Sequence, residues 1–86
     1  MKTIWKYEIN ITDEQTIMMP KGSRTLSFQL QNGIPCIWAV VEPNVEKEKR
    51  KFFIAGTGNP FPCEINAMFI GTIQNNGFVW HLFEQL

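Results

Sequence analysis

Two Asn-Gly steps divide this chain into short runs in which apolar and polar residues alternate. Asn32-Gly33 and Asn76-Gly77 each join two such runs. Both central residues of a type I′ turn need a positive φ angle, which asparagine and glycine adopt most readily, so each step predicts a β-hairpin. No stretch keeps a helical period over the roughly 10–12 residues that a helix needs. The sequence therefore predicts antiparallel strands.

Alternation with a period of two defines several of these strands. In residues 3–11 the apolar positions expected on one face are Trp5, Tyr7, Ile9 and Ile11. In residues 25–31 the positions expected to face inward are Leu26, Phe28 and Leu30. Such runs, rich in aromatic and branched residues, are typical of strands with one buried face. A further short strand over residues 15–19 is expected to end at Pro20.

Other runs are apolar on both faces. Residues 35–43 read PCIWAVVEP, which is typical of a central strand that is covered on both sides. Residues 78–86 are also apolar on both faces, which indicates either a sandwiched strand or a contact with a partner subunit. We therefore predict one all-β domain, residues 1–86, of about seven antiparallel strands in a meander. It would form a small open barrel or a strongly curved sheet, with at most one short helix inside residues 43–50 or 60–67.

Charge and hydropathy limit the partners of the chain. The formal net charge is zero, whereas nucleic-acid binding proteins normally carry a basic excess. The basic residues are clustered in one segment, residues 46–51, where they are interspersed with two glutamates. We expect a solvated loop there. No run approaches the roughly 18 apolar residues of a membrane span, and no signal peptide is evident. We expect neither nucleic-acid nor membrane binding.

The residues that usually carry chemistry are sparse. Cys36, Cys63 and His81 are too few and too scattered for a structural zinc site, and we expect reduced, buried thiols. His81 is the only histidine and lies in an apolar strand, so a structural role is expected. Among the acids, Glu42 and Glu64 occupy the most interesting positions. No nucleophile, base and orienting group come together in the sequence, so we expect no catalytic residues, no metal and no cofactor.

The segment GTGNPFP, residues 56–62, permits two interpretations. It is either a rigid corner with Phe61 plugging the core, or a loop whose backbone N–H groups converge on a ligand. It matches neither the phosphate-binding loop nor the dinucleotide fingerprint. The candidate ligand-binding residues are Arg24, Trp38, Arg50, Thr57 and Asn59. Arginine suits phosphate, tryptophan can stack on a base, and Thr57 and Asn59 can form hydrogen bonds.

Four blocks of the sequence, which together cover nearly the whole chain, carry a family resemblance. They are MKTIWKYEINITDEQTIMMPKG, QNGIPCIWAVVEPNVEKEKR, GTGNPFP and FIGTIQNNGFVWHLFE. They resemble a family of small proteins encoded by tailed bacteriophages and prophages, described as a domain of unknown function. Relatives often have a histidine where this chain has Asn59, so the resemblance does not support histidine-dependent chemistry at that position. It implies a viral accessory protein in the host bacterial cytoplasm.

Two functions of different classes follow from these observations. The first is a non-enzymatic binder that sequesters a small, nucleotide-type signalling ligand and thereby counters a bacterial defence system. The second is a protein-binding inhibitor or adaptor of a host protein, and a minor virion or assembly component is a further alternative. A chain of 86 residues builds only a small core, so we expect a homo-oligomer in either case.

Overall fold

Seven β-strands form the regular structure of the chain, and the computed structural model describes residues 1–62 and 66–86. The strands are β1 (Thr3–Glu8), β2 (Glu14–Pro20), β3 (Arg24–Gln31), β4 (Ile34–Val41), β5 (Lys47–Gly56), β6 (Ala67–Asn75) and β7 (Phe78–Gln85). Every pairing between neighbours is antiparallel. The prediction of an all-β fold with about seven antiparallel strands is confirmed.

The strands divide into two open sheets. One has the order β1-β4-β3 and the other the order β2-β5-β7-β6. Over the described residues neither sheet closes on itself. The consecutive connections of a meander are present in the β3–β4 and β6–β7 hairpins, whereas the other pairings join strands that are distant in the sequence. None of the described segments forms a helix that is long and apolar enough to cross a membrane.

Both predicted hairpin turns are confirmed by their backbone angles. Asn32 and Gly33 have φ angles of 52° and 78°, and Asn76 and Gly77 have φ angles of 54° and 83°. These are the positive values that a type I′ turn requires at its two central positions. The local sequence therefore determines the register of the two hairpins.

Buried side chains from both sheets form one apolar core. Its members are Ile9, Met19, Phe28, Ile37, Ala39, Val41, Phe52, Ile54, Ile73 and Leu82. The predicted central strand is confirmed, because β4 lies between β1 and β3 and its successive residues Cys36 and Ile37 are both buried. The sheets also meet where β6 passes β3. A Cβ atom added to Gly71 would lie 3.2 Å from the Phe28 Cβ atom.

The charged segment is a strand and not the solvated loop that the sequence predicted. β5 begins at Lys47 and pairs with β2, so that Lys47 lies opposite Pro20. The alternating charges fit the strand period, because the lysines are exposed while Glu48 and Arg50 are partly buried. This pairing also excludes the helix considered for residues 43–50. Of the other range considered for a helix, 60–67, residues 63–65 lie outside the described part of the chain.

Two predicted inward positions are wrong. Leu26 is 42% exposed, because the register of β3 against β4 shifts between Thr25 and Ser27. Such a bulge inserts one residue into the strand, so the side chains before it point to the opposite face from the one that strict alternation predicts. Ile11 is 36% exposed, because β1 ends at Glu8 and the chain then passes from one sheet to the other.

Candidate ligand-binding site

The GTGNP loop, residues 56–60, turns sharply at the end of β5. The Asn59 N–H group donates a hydrogen bond of 3.0 Å to the Gly56 carbonyl. Gly58, the third residue of this turn, has a φ angle of 85°, as a type II turn requires. The Thr57 N–H group donates to the Val79 carbonyl at 3.1 Å, which fixes the loop to β7. The segment therefore turns a corner at the end of β5, as one of its two interpretations predicted.

A second set of contacts holds the loop through a histidine. Thr57 Oγ1 lies 2.7 Å from His81 Nε2, and Thr72 Oγ1 lies 2.9 Å from His81 Nδ1. Thr72 is directly opposite His81 in the pairing of β6 with β7. Both ring nitrogens therefore have hydroxyl partners.

The Thr57–His81 contact has the geometry of a nucleophile beside a base. The third member of a catalytic set, however, is normally a carboxylate that stabilises the imidazolium as it forms. Thr72 provides only a neutral hydroxyl at that place. The arrangement therefore positions Thr57, and through it the GTGNP loop.

On the other side of the loop, an amide and an aromatic ring meet above Gly56. A Cβ atom at this position would lie 2.7 Å from Asn59 Nδ2 and 2.9 Å from Trp80 Cζ3. Only glycine leaves both side chains in place at such distances. The Phe78 ring stacks on the Trp80 ring, with centroids 5.5 Å apart and planes 22° apart. Because Phe78 is 60% exposed, this aromatic pair extends to the surface.

Gly56, Asn59 and Trp80 line a groove of about 320 Å³, which we call the loop groove. Its polar wall is formed by Thr12, Asp13 and Asn59, and its apolar wall includes Trp80. The Ile54 N–H group donates to the Asp13 carbonyl at 3.2 Å, which holds this wall against β5. A smaller depression of about 240 Å³ lies beside Phe78 and shares Gly56, Asn59 and Trp80 with the loop groove. Asn59 therefore borders both depressions.

Two of the five predicted ligand-binding residues, Thr57 and Asn59, lie in this loop. Arg24 instead lines a separate groove of about 500 Å³ with Lys2 and Lys21. That groove lies where β3 and β5 begin, at the opposite end of the strands from the GTGNP loop. Trp38 is half-buried on β4 and lies opposite Lys6 of β1.

Arg50 belongs to a buried polar cluster between the sheets. Its Nε donates to the Glu84 carboxylate, and its Nη1 donates to the Ser23 carbonyl at 2.8 Å. The other oxygen of the Glu84 carboxylate accepts from Thr25 Oγ1 at 2.9 Å. The side chain of Glu84 is only 4% exposed. Arg50 lies six positions before Gly56 on β5, which corresponds to about 20 Å of extended chain.

The sequence analysis did not identify Glu84 as a buried acid. The signal was present, because Arg50 and Glu84 both fall on core-facing positions of strands that alternate with a period of two. Of the two acids that were identified, Glu42 contacts the amino group of Met1 at 3.1 Å. Glu64 lies outside the described residues.

Tyr7 is next to this polar cluster. Its hydroxyl group is buried and has no hydrogen-bond partner among the described residues. Burial raises the pKa of Tyr7 above the ordinary value, and the positive charge of Arg50 partly opposes this shift. The neutral phenol is therefore the form that the fold favours.

Two further expectations concern the core. Phe61 does not plug it: the ring is 49% exposed and packs edge-on against Phe83, with centroids 4.9 Å apart. Cys36 is buried with a free thiol, as predicted, and Cys63 lies outside the described residues. In residues 1–62 and 66–86, no three His, Cys, Asp or Glu side chains are grouped as a metal site would require.

The chain belongs to a family that is described as a domain of unknown function, DUF7352, whose model matches residues 1–86. No curated protein and no solved structure shows a significant match. The predicted membership in a family of unknown function is confirmed. The phage origin that the sequence resemblance implied stays a prediction.

Proposed function

We propose that this protein is a non-enzymatic binding protein that holds a small planar ligand in the loop groove. The observation that carries the proposal is the meeting of the Asn59 amide and the Trp80 ring above Gly56. A ring that enters the groove can stack on Trp80 while its edge reaches Asn59. The amide group offers two donors and an acceptor, so it can recognise the hydrogen-bonding edge of a heterocycle.

The dimensions and energetics of the groove support a ligand of nucleobase size. A volume of about 320 Å³ is at the lower end of the range for small-molecule sites. Stacking a base on an aromatic side chain contributes roughly 1–3 kcal/mol. The turn and the Thr57–His81 contact already fix the loop, so little conformational entropy is lost on binding.

The biological setting of this proposal comes from the sequence resemblance. We propose a phage or prophage accessory protein that acts in the host bacterial cytoplasm and sequesters a base-containing signalling molecule. Self-association into a homo-oligomer is part of the same proposal, because a small domain gains stability in this way. The resemblance supports the setting, and the loop groove supports the type of ligand.

A thermal-shift screen with paired variants tests the proposed function. The wild-type protein would be screened against nucleosides and against linear and cyclic nucleotides, with native mass recorded for each hit. A ligand at 100 times its Kd adds about 2.7 kcal/mol of stability. This corresponds to an increase in Tm of roughly 10 °C or more for a chain of this size.

Two variants and two controls locate the site. Asn59→Ala and Phe78→Ala are expected to abolish most of the shift, since Asn59 lines the loop groove and Phe78 supports the Trp80 ring that lines it. Asn44→Ala and Phe69→Ala replace equally exposed residues elsewhere and should leave the shift intact. A shift that survives both groove variants would refute the site, and flat curves for every compound would refute the function.

Exposed apolar side chains support a second candidate function, namely binding to a host protein. Phe69 is 56% exposed and Met68 is 43% exposed on β6. The Phe69 ring lies 5.6 Å from the Phe83 ring, and Phe61 packs on the same ring from another side. A half-exposed cluster of this kind is typical of interaction surfaces. If a stoichiometric host complex forms and Phe69→Asp abolishes it while Phe78→Asp does not, this function replaces ligand binding.

A further inference from the structure

We infer that the loop groove selects a planar ligand that carries N–H donors and is neutral or positively charged, and that it discriminates against phosphate-bearing ligands. This inference rests on the proposed function and specifies the chemical class of its ligand. The lining of the two depressions beside Asn59 supports this discrimination, because neither has a lysine or arginine among its described residues. The charged group among those residues is the carboxylate of Asp13.

The arginines that could neutralise a phosphate lie elsewhere. Arg50 is held by Glu84 and Ser23 between the sheets, and Arg24 lies in the separate groove with Lys2. On β5 the lysine nearest to the loop is Lys51, and its ammonium group pairs with Glu14 at 3.0 Å. Salt screens charges beyond about 8 Å under physiological conditions. The cations at the far end of the strands therefore contribute little to the potential in the groove.

The groups that do line the groove favour N–H donors. Asp13 and Asn59, which line the groove, each have a side-chain oxygen that can accept hydrogen bonds. The Thr12 hydroxyl is already engaged, because it donates to the Glu14 carbonyl and accepts from Gln15 Nε2. The Trp80 ring attracts positive charge through its quadrupole. A flat group with several N–H bonds suits Asp13, Asn59 and Trp80, and both an amino-substituted nucleobase and a guanidinium group have this chemistry. The groove therefore favours the base of a nucleotide and disfavours its phosphate.

Direct titrations of three compounds test the inference. The wild-type protein would be titrated calorimetrically with adenosine, adenosine monophosphate and agmatine at physiological ionic strength. A phosphate dianion about 6 Å from a carboxylate in a water-like medium, with this salt screening, is expected to weaken binding about threefold. Adenosine should therefore bind about three times more tightly than its monophosphate. Binding of agmatine instead of adenosine would identify the guanidinium as the source of the N–H donors.

Two charge variants complete the test. Asp13→Asn removes the carboxylate and should bring the affinities for adenosine and its monophosphate close to equal, whereas Glu46→Gln, an exposed acid at the far end, should not change the preference. Monophosphate binding that equals or exceeds adenosine binding in the wild type would overturn the inference while leaving the proposed function in place. If none of the three compounds binds, both the inference and the proposed function fail for this class of ligand.

Discussion

Gly56 shows how one residue creates the candidate site. Its missing side chain leaves the space in which Asn59 and Trp80 lie side by side. The residue precedes a turn, and a turn alone would explain a glycine. The close approach of the amide and the indole ring is the additional reason that the structure provides.

Gly56→Ala should therefore damage both the groove and the fold. The added Cβ atom must displace the Asn59 amide or the Trp80 ring, and such overpacking costs about 1–3 kcal/mol. Urea unfolding would measure the loss, and a change in tryptophan emission would report the displaced ring. Gly22→Ala is a control for the emission change alone, because a Cβ atom there meets open space while its φ of 78° makes any side chain costly. It should lower stability without changing tryptophan emission. If Gly56→Ala leaves emission and ligand binding unchanged, the close packing does not form the site.

Tyr7 is a second residue with a measurable consequence. Its buried hydroxyl has no partner among the described residues, so the fold bears the cost of removing that group from water. Tyr7→Phe is therefore expected to stabilise the protein by about 1 kcal/mol. Equilibrium unfolding in urea at neutral pH checks this value. A clear loss of stability would mean that the hydroxyl has a hydrogen-bond partner after all.

The raised pKa of Tyr7 also predicts a pH dependence. Because the folded pKa lies above the unfolded value of about 10, the folded state retains a proton that the unfolded state has lost. Stability should therefore be lost as the pH rises from about 10 through the folded pKa. Tyr7 is the only tyrosine in the chain, so tyrosinate absorbance reports this group alone. A midpoint at or below the ordinary value would contradict the argument, and Tyr7→Phe should lack this part of the alkaline loss.

At the scale of the elements, β5 and β7 are joined by a buried ion pair. Glu84→Leu removes the acceptor for both Arg50 and Thr25 and leaves a partly buried positive charge. This change is expected to cost about 3 kcal/mol. The double variant Arg50→Met/Glu84→Leu should recover most of that loss, since it leaves no unpaired charge between the sheets. Urea unfolding of the wild type, Glu84→Leu, Arg50→Met and the double variant measures the coupling energy, and additive losses would show that the pair acts through packing alone.

The elements also show which parts of the fold the sequence could predict. Both hairpins depend on two neighbouring residues each, such as Asn32 and Gly33, and their geometry is local. The division into two sheets depends on pairings between distant strands, which no local pattern specifies. No local pattern specifies the bulge that exposes Leu26 either. The charged run was assigned to a loop because its pairing with β2 is a long-range contact.

At the scale of the whole molecule, the two ends of the strands have different chemistry. One end carries Lys2, Lys21 and Arg24, and the other carries the GTGNP loop with its aromatic pair. The sequence predicted a single site from Arg24, Trp38, Arg50, Thr57 and Asn59. Thr57 and Asn59 lie together because a glycine-rich loop is a local feature. Arg24 and Arg50 lie apart because the length of β5 separates them from the loop, and Trp38 lies apart because β4 belongs to the other sheet.

The tryptophan that lies beside Asn59 could not be predicted from the sequence either. Trp38 and Trp80 both lie in strands that are apolar on two faces, and the sequence offers no reason to prefer one as a stacking surface. The structure places Trp80 beside Asn59 and Trp38 on a different sheet. The pairing of Gly56 with Trp80 across β5 and β7 is what distinguishes them.

The most direct test of the central claim is to locate bound adenosine by NMR. Backbone amide signals and the three indole N–H signals would be followed during a titration of the isotope-labelled protein. Our account predicts shifts at Gly56, Asn59, Gly77 and the Trp80 indole, with the signals of Lys2 and Arg24 unchanged. Shifts confined to the Arg24 end, or spectra that change with neither adenosine nor agmatine, would contradict the assignment of the loop groove as the ligand site.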